Sequence, residues 1–202
     1  MRPHYSITAR AQSEPLTLDQ ATEQCRIDST DDLSFLNALI PVAREYVDGV
    51  TGRVSLQTEF RLTAPTWESI CHQMRGEISR FHLDRSPLVS VESIKYYDET
   101  TETLTTMSAA DYLVVTDSDR GIVQINIDLP MLMDRPDAIQ INFTAGYDSS
   151  CETPPILAHA QKMLVAHLFE NRIAVDASNV SNEVPYGLKA MIENQKTGGW
   201  VV

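Results

Sequence analysis

Basic residues are scarce: Lys and Arg number 16 against 28 Asp and Glu, a formal net charge of −12. That balance argues against a surface that grips nucleic acid by neutralising its phosphates. Cysteine is scarcer still. Cys25, Cys71 and Cys151 are odd in number, far apart and without a C-x-x-C pair, so neither a disulfide framework nor a zinc ribbon is expected. No apolar run approaches the roughly 18 to 20 residues that cross a bilayer, and Met1, Arg2, Pro3, His4, Tyr5 lack the apolar stretch of a signal peptide. The expectation is a soluble intracellular protein with reduced thiols and no membrane partner. The catalytic signatures G-x-S-x-G, G-x-x-x-x-G-K and G-x-G-x-x-G are also missing, which removes a nucleophile elbow, a phosphate cradle and a dinucleotide fingerprint. Asn142-Phe143-Thr144 and Asn179-Val180-Ser181 match the glycosylation tripeptide, but without a secretion signal they are chance matches.

What is present is periodic. Residues 1–16, with Pro3 and Pro15, read as an extended arm. Thr17 and Gln20 have the spacing of a capping box, which predicts a short helix from Leu18 to about Arg26. Asp28 to Asp31 reads as a polar turn, and a second helix spans about Asp32 to Val50, closed by Gly52. Leu33, Leu36, Ile40, Ala43, Val47 and Val50 form one helical stripe; Phe35, Leu39, Val42 and Tyr46 form a second row beside it. One stripe suffices for the surface helix of a monomer. These four residues are therefore candidate subunit-interface positions, unless the helix is central to its own domain. Pro41 removes a donor inside the helix and predicts a bend near Asn37 to Pro41.

After Arg53 the period drops to 2. Phe60, Leu62 and Ala64, then Val123, Ile125 and Ile127, then Ile139, Ile141 and Phe143 alternate with polar neighbours, the mark of half-buried antiparallel strands. Val89 to Tyr97 and Tyr112 to Val115 read as further strands, Asp117 to Gly121 as a turn, and Trp67 to Gly76 as a loop or short helix. Residues 54–150 carry 15 acids against 7 bases, most of the charge excess. From Thr153 the helical period returns, with Thr153 as N-cap, Pro154 at the first position and a stripe of Ile156, Ala160, Met163, Leu164, His167 and Leu168. A last helix runs from Tyr186 to about Asn194. The predicted organisation is an arm (1–16), a helical domain from 17–53 and 151–195, a β-rich insertion (54–150) and a tail (196–202). This is an α+β fold whose N- and C-terminal helices pack together around an inserted antiparallel sheet domain.

Candidate chemistry is thin. His167 and Glu170 at i, i+3, with His159 two turns upstream, could approach a metal, but no further ligands complete a site. Neither metal nor cofactor is expected. Trp200, Val201 and Val202 follow a Gly-Gly pair and could anchor on a partner when they order.

Several segments, in consistent order over about residues 15 to 192, resemble the tailed-phage head-tail connector proteins, also called adaptor or head-completion proteins. They are Pro15-Leu-Thr-Leu-Asp-Gln-Ala, Ala43-Arg-Glu-Tyr-Val-Asp with Thr51-Gly-Arg, Ser86-Pro-Leu-Val-Ser-Val with Tyr96-Tyr-Asp, Phe143-Thr-Ala-Gly-Tyr, Val165-Ala-His-Leu-Phe-Glu-Asn-Arg and Glu183-Val-Pro-Tyr-Gly-Leu. Two features depart from the pattern: the segment from Thr66 to Glu77 is longer, and Asp84 stands where proline is expected.

The resemblance implies a non-enzymatic virion protein at the head-tail junction, assembled in the host cytoplasm. It implies a homo-oligomeric ring, twelvefold in the usual virion, between the portal protein and a tail-side neck or stopper protein. DNA would pass through its channel without sequence-specific binding. Trp200, Val201 and Val202 would then be portal-contact candidates. The alternatives are another neck ring protein, a stopper or tail terminator, or a DNA-packaging accessory factor.

Overall fold

The computed structural model describes residues 3–27, 32–71, 73–75, 78–118, 120–148, 152–172 and 186–197. The chain divides into two compact units, each assembled from separated stretches: Met1–Ala11 with Gln57–Gly146, and Gln12–Leu56 with Tyr147–Val202.

The second unit is helical. Helix α1 (Leu18–Cys25) opens on the expected capping box: the Thr17 hydroxyl accepts from the Gln20 amide, and the Gln20 side chain accepts from the Thr17 amide. It closes at Arg26, whose left-handed backbone lets its amide reach Glu23 and Thr22. Helix α2 (Leu33–Thr51) runs through Pro41 and ends where Gly52 turns left-handed at φ 73°. The expected turn at residues 28–31 lies outside the described residues. Helix α3 (Pro155–Glu170) starts one residue later than the sequence suggested, with Pro154 as the cap residue. The Thr153 hydroxyl, expected to cap, donates to the Ser55 carbonyl at 2.8 Å. Its buried stripe is also rotated by about one position. Leu157, Ala160, Gln161, Leu164 and Val165 are buried, whereas Ile156, Met163 and Leu168 are only partly covered. A glutamine inside the true stripe broke the apolar pattern. Helix α4 (Tyr186–Glu193) adds Leu188 and Ile192, and all four helices share one core with Leu16, Leu36, Ile40, Ala43 and Val47.

The first unit is built of antiparallel strands in two sheets, where one was expected. Strands β1 (His4–Ala9), β2 (Thr58–Ala64), β5 (Leu88–Tyr97), β6 (Leu104–Thr106) and β9 (Ile139–Ala145) form the first, in the order β1-β2-β9-β5-β6. Strands β3 (Gln73–Arg75), β4 (Ile78–Leu83), β7 (Tyr112–Val115) and β8 (Gly121–Ile125) form the second, in the order β3-β4-β8-β7. Alternation buries Phe60, Leu62 and Ala64 of β2, Ile139, Ile141 and Phe143 of β9, and Val123 and Ile125 of β8, as the period of 2 requires. The sheets meet closely at Gly121, where an added Cβ would lie 2.2 Å from the Leu88 side chain.

Beyond β4 and β6, for which the sequence raised no expectation, two segments differ from expectation. Residues 4–9, read as part of an arm, are extended as strand β1, paired from His4 opposite Thr63 to Ala9 opposite Glu59. The stretch read as a loop or short helix holds a single 3-10 turn, Trp67–Ser69, followed by β3. Trp67 is buried there, and its indole N–H donates to the Pro130 carbonyl.

Candidate subunit interface

The second apolar row of α2 divides into two halves. Phe35 packs beside Phe169 of α3 with ring centroids 6.0 Å apart, and the Arg172 guanidinium stands 4.7 Å over Phe35 and 5.0 Å over Phe169. Arg172 is held in turn by Asp32 at 2.8 Å. Leu39 packs against the helical core. These two positions are therefore engaged within their own unit. Val42 and Tyr46, one turn apart, remain 52% and 40% exposed. One turn beyond Tyr46 comes Gly49, where a Cβ would meet nothing within 4 Å. Glycine inside a helix costs ~0.5–1 kcal/mol relative to alanine, and no steric demand of the helical unit requires it at this position. Val42, Tyr46 and Gly49 thus make a partly apolar, low-relief strip on the outer side of α2.

Behind this strip lies a polar cluster that sequence reasoning missed. Asp48 accepts the Ser55 hydroxyl at 2.5 Å and the Ser55 amide at 3.2 Å, and the Gln161 side-chain amide donates to the Ser55 hydroxyl oxygen at 2.7 Å. Burial pushes the Asp48 carboxyl up to about 6, against the opposing pull of Ser55 and of Arg44 at 4.0 Å. Arg44 is anchored by Glu14 at 2.7 Å. The one available sequence signal was a glutamine in an otherwise apolar stripe of α3. The cluster joins α2, the 53–56 segment and α3; it leaves no nucleophile or acid–base pair facing an open cleft.

Other candidate chemistry is similarly engaged. Burial raises the Cys71 thiol to about 11, with Glu68 adding to the effect, and burial also raises Cys25. Neither is an activated thiolate. His167 is half-buried beside Asn171, and His159 and Glu170 are exposed; no group of three or more potential metal ligands occurs among the described residues. In the first unit a depression of about 260 Å³ is lined by Thr8, Glu59, Arg61, Glu92, Ser93 and Asn142. Several of its polar groups are already bonded: Arg61 donates to Asn142 at 2.9 Å, Asn142 to Ser93 at 2.9 Å, and nearby Thr144 to Glu92 at 2.7 Å. Trp200, Val201 and Val202 lie outside the described residues.

This architecture is shared with chains from neck and virion structures of gene transfer agent particles, which supports the resemblance to head-tail connector proteins. One solved structure, the neck of an empty gene transfer agent particle computed with C6 symmetry, contains a chain matched over 97% of this chain and 98% of its own, with a TM-score of 0.73 and 23% identity. The virion of the native gene transfer agent gives 0.69 at 23% identity over 96% and 98%. The neck of the native particle computed with C12 symmetry gives 0.63 at 25% identity over the same shares. No family model matches the chain, and no curated protein does.

Proposed function

We propose that the chain is a structural, non-enzymatic subunit of a ring in the neck of a phage-like particle, the adaptor that joins the portal of the head to the tail and extends the DNA channel. The observation that carries this reading is the end-to-end match, over 97% of the chain, to a neck chain of such a particle. The C6 and C12 symmetries of the neck structures favour a homo-oligomeric ring of twelve subunits. A closed ring needs a heterologous contact, in which two different patches of each subunit meet. The strip of Val42, Tyr46 and Gly49 suits one of those patches, since it is exposed, partly apolar and open to close approach. The portal would engage the C-terminal tail with Trp200, Val201 and Val202, and a stopper or other neck protein would bind the tail side. DNA would slide past acidic walls without sequence-specific contact, because lysine-poor surfaces offer phosphates nothing to exchange their counterions for.

The test is an image of particles assembled without this chain. Filled or emptied heads beside free tails are expected; heads that join tails normally overturn the proposal. Purified portal separates the adaptor from its rivals. An adaptor binds it directly, whereas a stopper or tail terminator requires another ring first. Nuclease or ATPase activity lost on substitution of particular acids would favour a packaging factor instead.

A further inference from the structure

Among the described residues, four strands form the open edges of the two sheets, and they are unequal. Strands β3 and β6 are three residues long, whereas β1 has six and β7 has four. The long edges, His4-Tyr-Ser-Ile-Thr-Ala and Tyr112-Leu-Val-Val, contain no Lys, Arg, Asp, Glu or Pro. An uncharged edge presents a row of unpaired backbone donors and acceptors, which monomeric proteins guard with charge, proline, bulges or a covering segment. The register shift between Ile7 and Ala9 is one such guard on β1, but it leaves His4–Ile7 regular, a run as long as β7.

Among the described residues, side chains at both edges lack a neighbour on the far side. Ile7 stands opposite buried Phe60, on the core face, yet is 45% exposed. Tyr112 and Val114 stand opposite fully buried Ile125 and Val123 and are only half-buried; Leu113, on the outer face, is 52% exposed. A further strand beside either edge would cover these side chains and pair the backbone.

We propose that β7 of one subunit pairs with β1 of the adjacent copy, so that the second sheet of each subunit continues into the first sheet of its neighbour around the ring. This rests on the ring reading above. Two different edges must meet, since pairing of β7 with β7 would create a two-fold axis and end growth at a dimer.

The test uses particles assembled with chains carrying Ile7→Cys together with Leu113→Cys, Val114→Cys or Val115→Cys in turn, the three covering the registers that could bring Cβ atoms within disulfide reach. The unsubstituted chain, with Cys25, Cys71 and Cys151, and each single variant set the background. At least one pair is expected to give an oxidised ladder beyond dimer that collapses on reduction. Leu113→Lys should sharply reduce incorporation into particles while leaving the unfolding temperature of the isolated chain near that of the parent. A symmetric ring seen by averaging, with no ladder from any pair and normal incorporation of Leu113→Lys, overturns the edge pairing and leaves the ring intact. Particles in which the chain forms no ring overturn both readings. A product that stops at dimer and forms with Leu113→Cys alone overturns the heterologous pairing in favour of a two-fold one.

Discussion

Asp48 binds its proton more tightly in the folded protein than the unfolded chain does, because burial raises its carboxyl from 3.8 to about 6. The sign of the pH dependence follows. The stabilising contribution of that proton is complete below the unfolded value and is lost as pH rises through the folded one; above it, the buried charge costs ~3 kcal/mol. Urea midpoints measured from pH 4 to pH 7 should therefore show that Asp48→Asn removes a downward slope present in the parent, and superimposable profiles would rule out the effect. Leu36 makes a simpler case. It is fully buried in the helical core, and Leu36→Ala should cost ~2–5 kcal/mol by denaturant titration. A loss below ~1 kcal/mol would mean that the site collapses around the missing methyls.

Helix α2 carries its own test of the interface. If the strip through Val42 and Tyr46 meets a neighbouring copy, Gly49→Ala should raise the stability of the isolated chain by ~0.5–1 kcal/mol through helix propensity while weakening ring formation. Those opposite signs distinguish an interface from an idle surface; unchanged assembly would argue that the strip faces solvent. Helix α2 was also the most legible element, since long apolar periodicity and a closing Gly52 are local signals, as the capping box is for α1. Strands β2, β8 and β9 were legible for the same reason, their alternation being nearly unbroken. Strand β1 escaped because an edge strand buries little: Tyr5 and Ile7 alternate with His4, Ser6 and Thr8 over too short a span to register. In β4 the buried set is Ser79, Phe81 and Leu83, and a serine in the core row disguises the period. The polar cluster at Asp48 left a single trace in the sequence, the glutamine in the α3 stripe, because Gln161 lies far along the chain from Asp48 and Ser55, and of the four interface candidates only the fold could divide Phe35 and Leu39 from Val42 and Tyr46.

At the scale of the whole molecule, charge and termini bear on the proposed role. Residues 54–150 hold most of the acidic excess. If those acids line a channel, reversing several of them to lysine should slow DNA ejection from assembled particles, an effect that diminishes as salt is raised. Ejection at the parental rate would sink the idea. Deleting residues 196–202 should abolish binding to purified portal; normal binding by the shortened chain would move the contact elsewhere.

The β-rich stretch also enters and leaves the helical unit in an unusual way. Thr58, near its start, and Ala145, near its end, are directly opposed across β2 and β9. Paired residues on adjacent strands lie only ~5 Å apart. Once that pair has formed, the helical unit sees all of residues 57–146 as a connection no wider than a tight turn, and the entropy of closing a long loop no longer opposes the meeting of α2 with α3. Residues 57–146 are thus rooted in one strand pair, while β1 ties the same sheet to the chain ahead of α1. Residues between that pair can lengthen or shorten without altering the spacing that the helices must bridge.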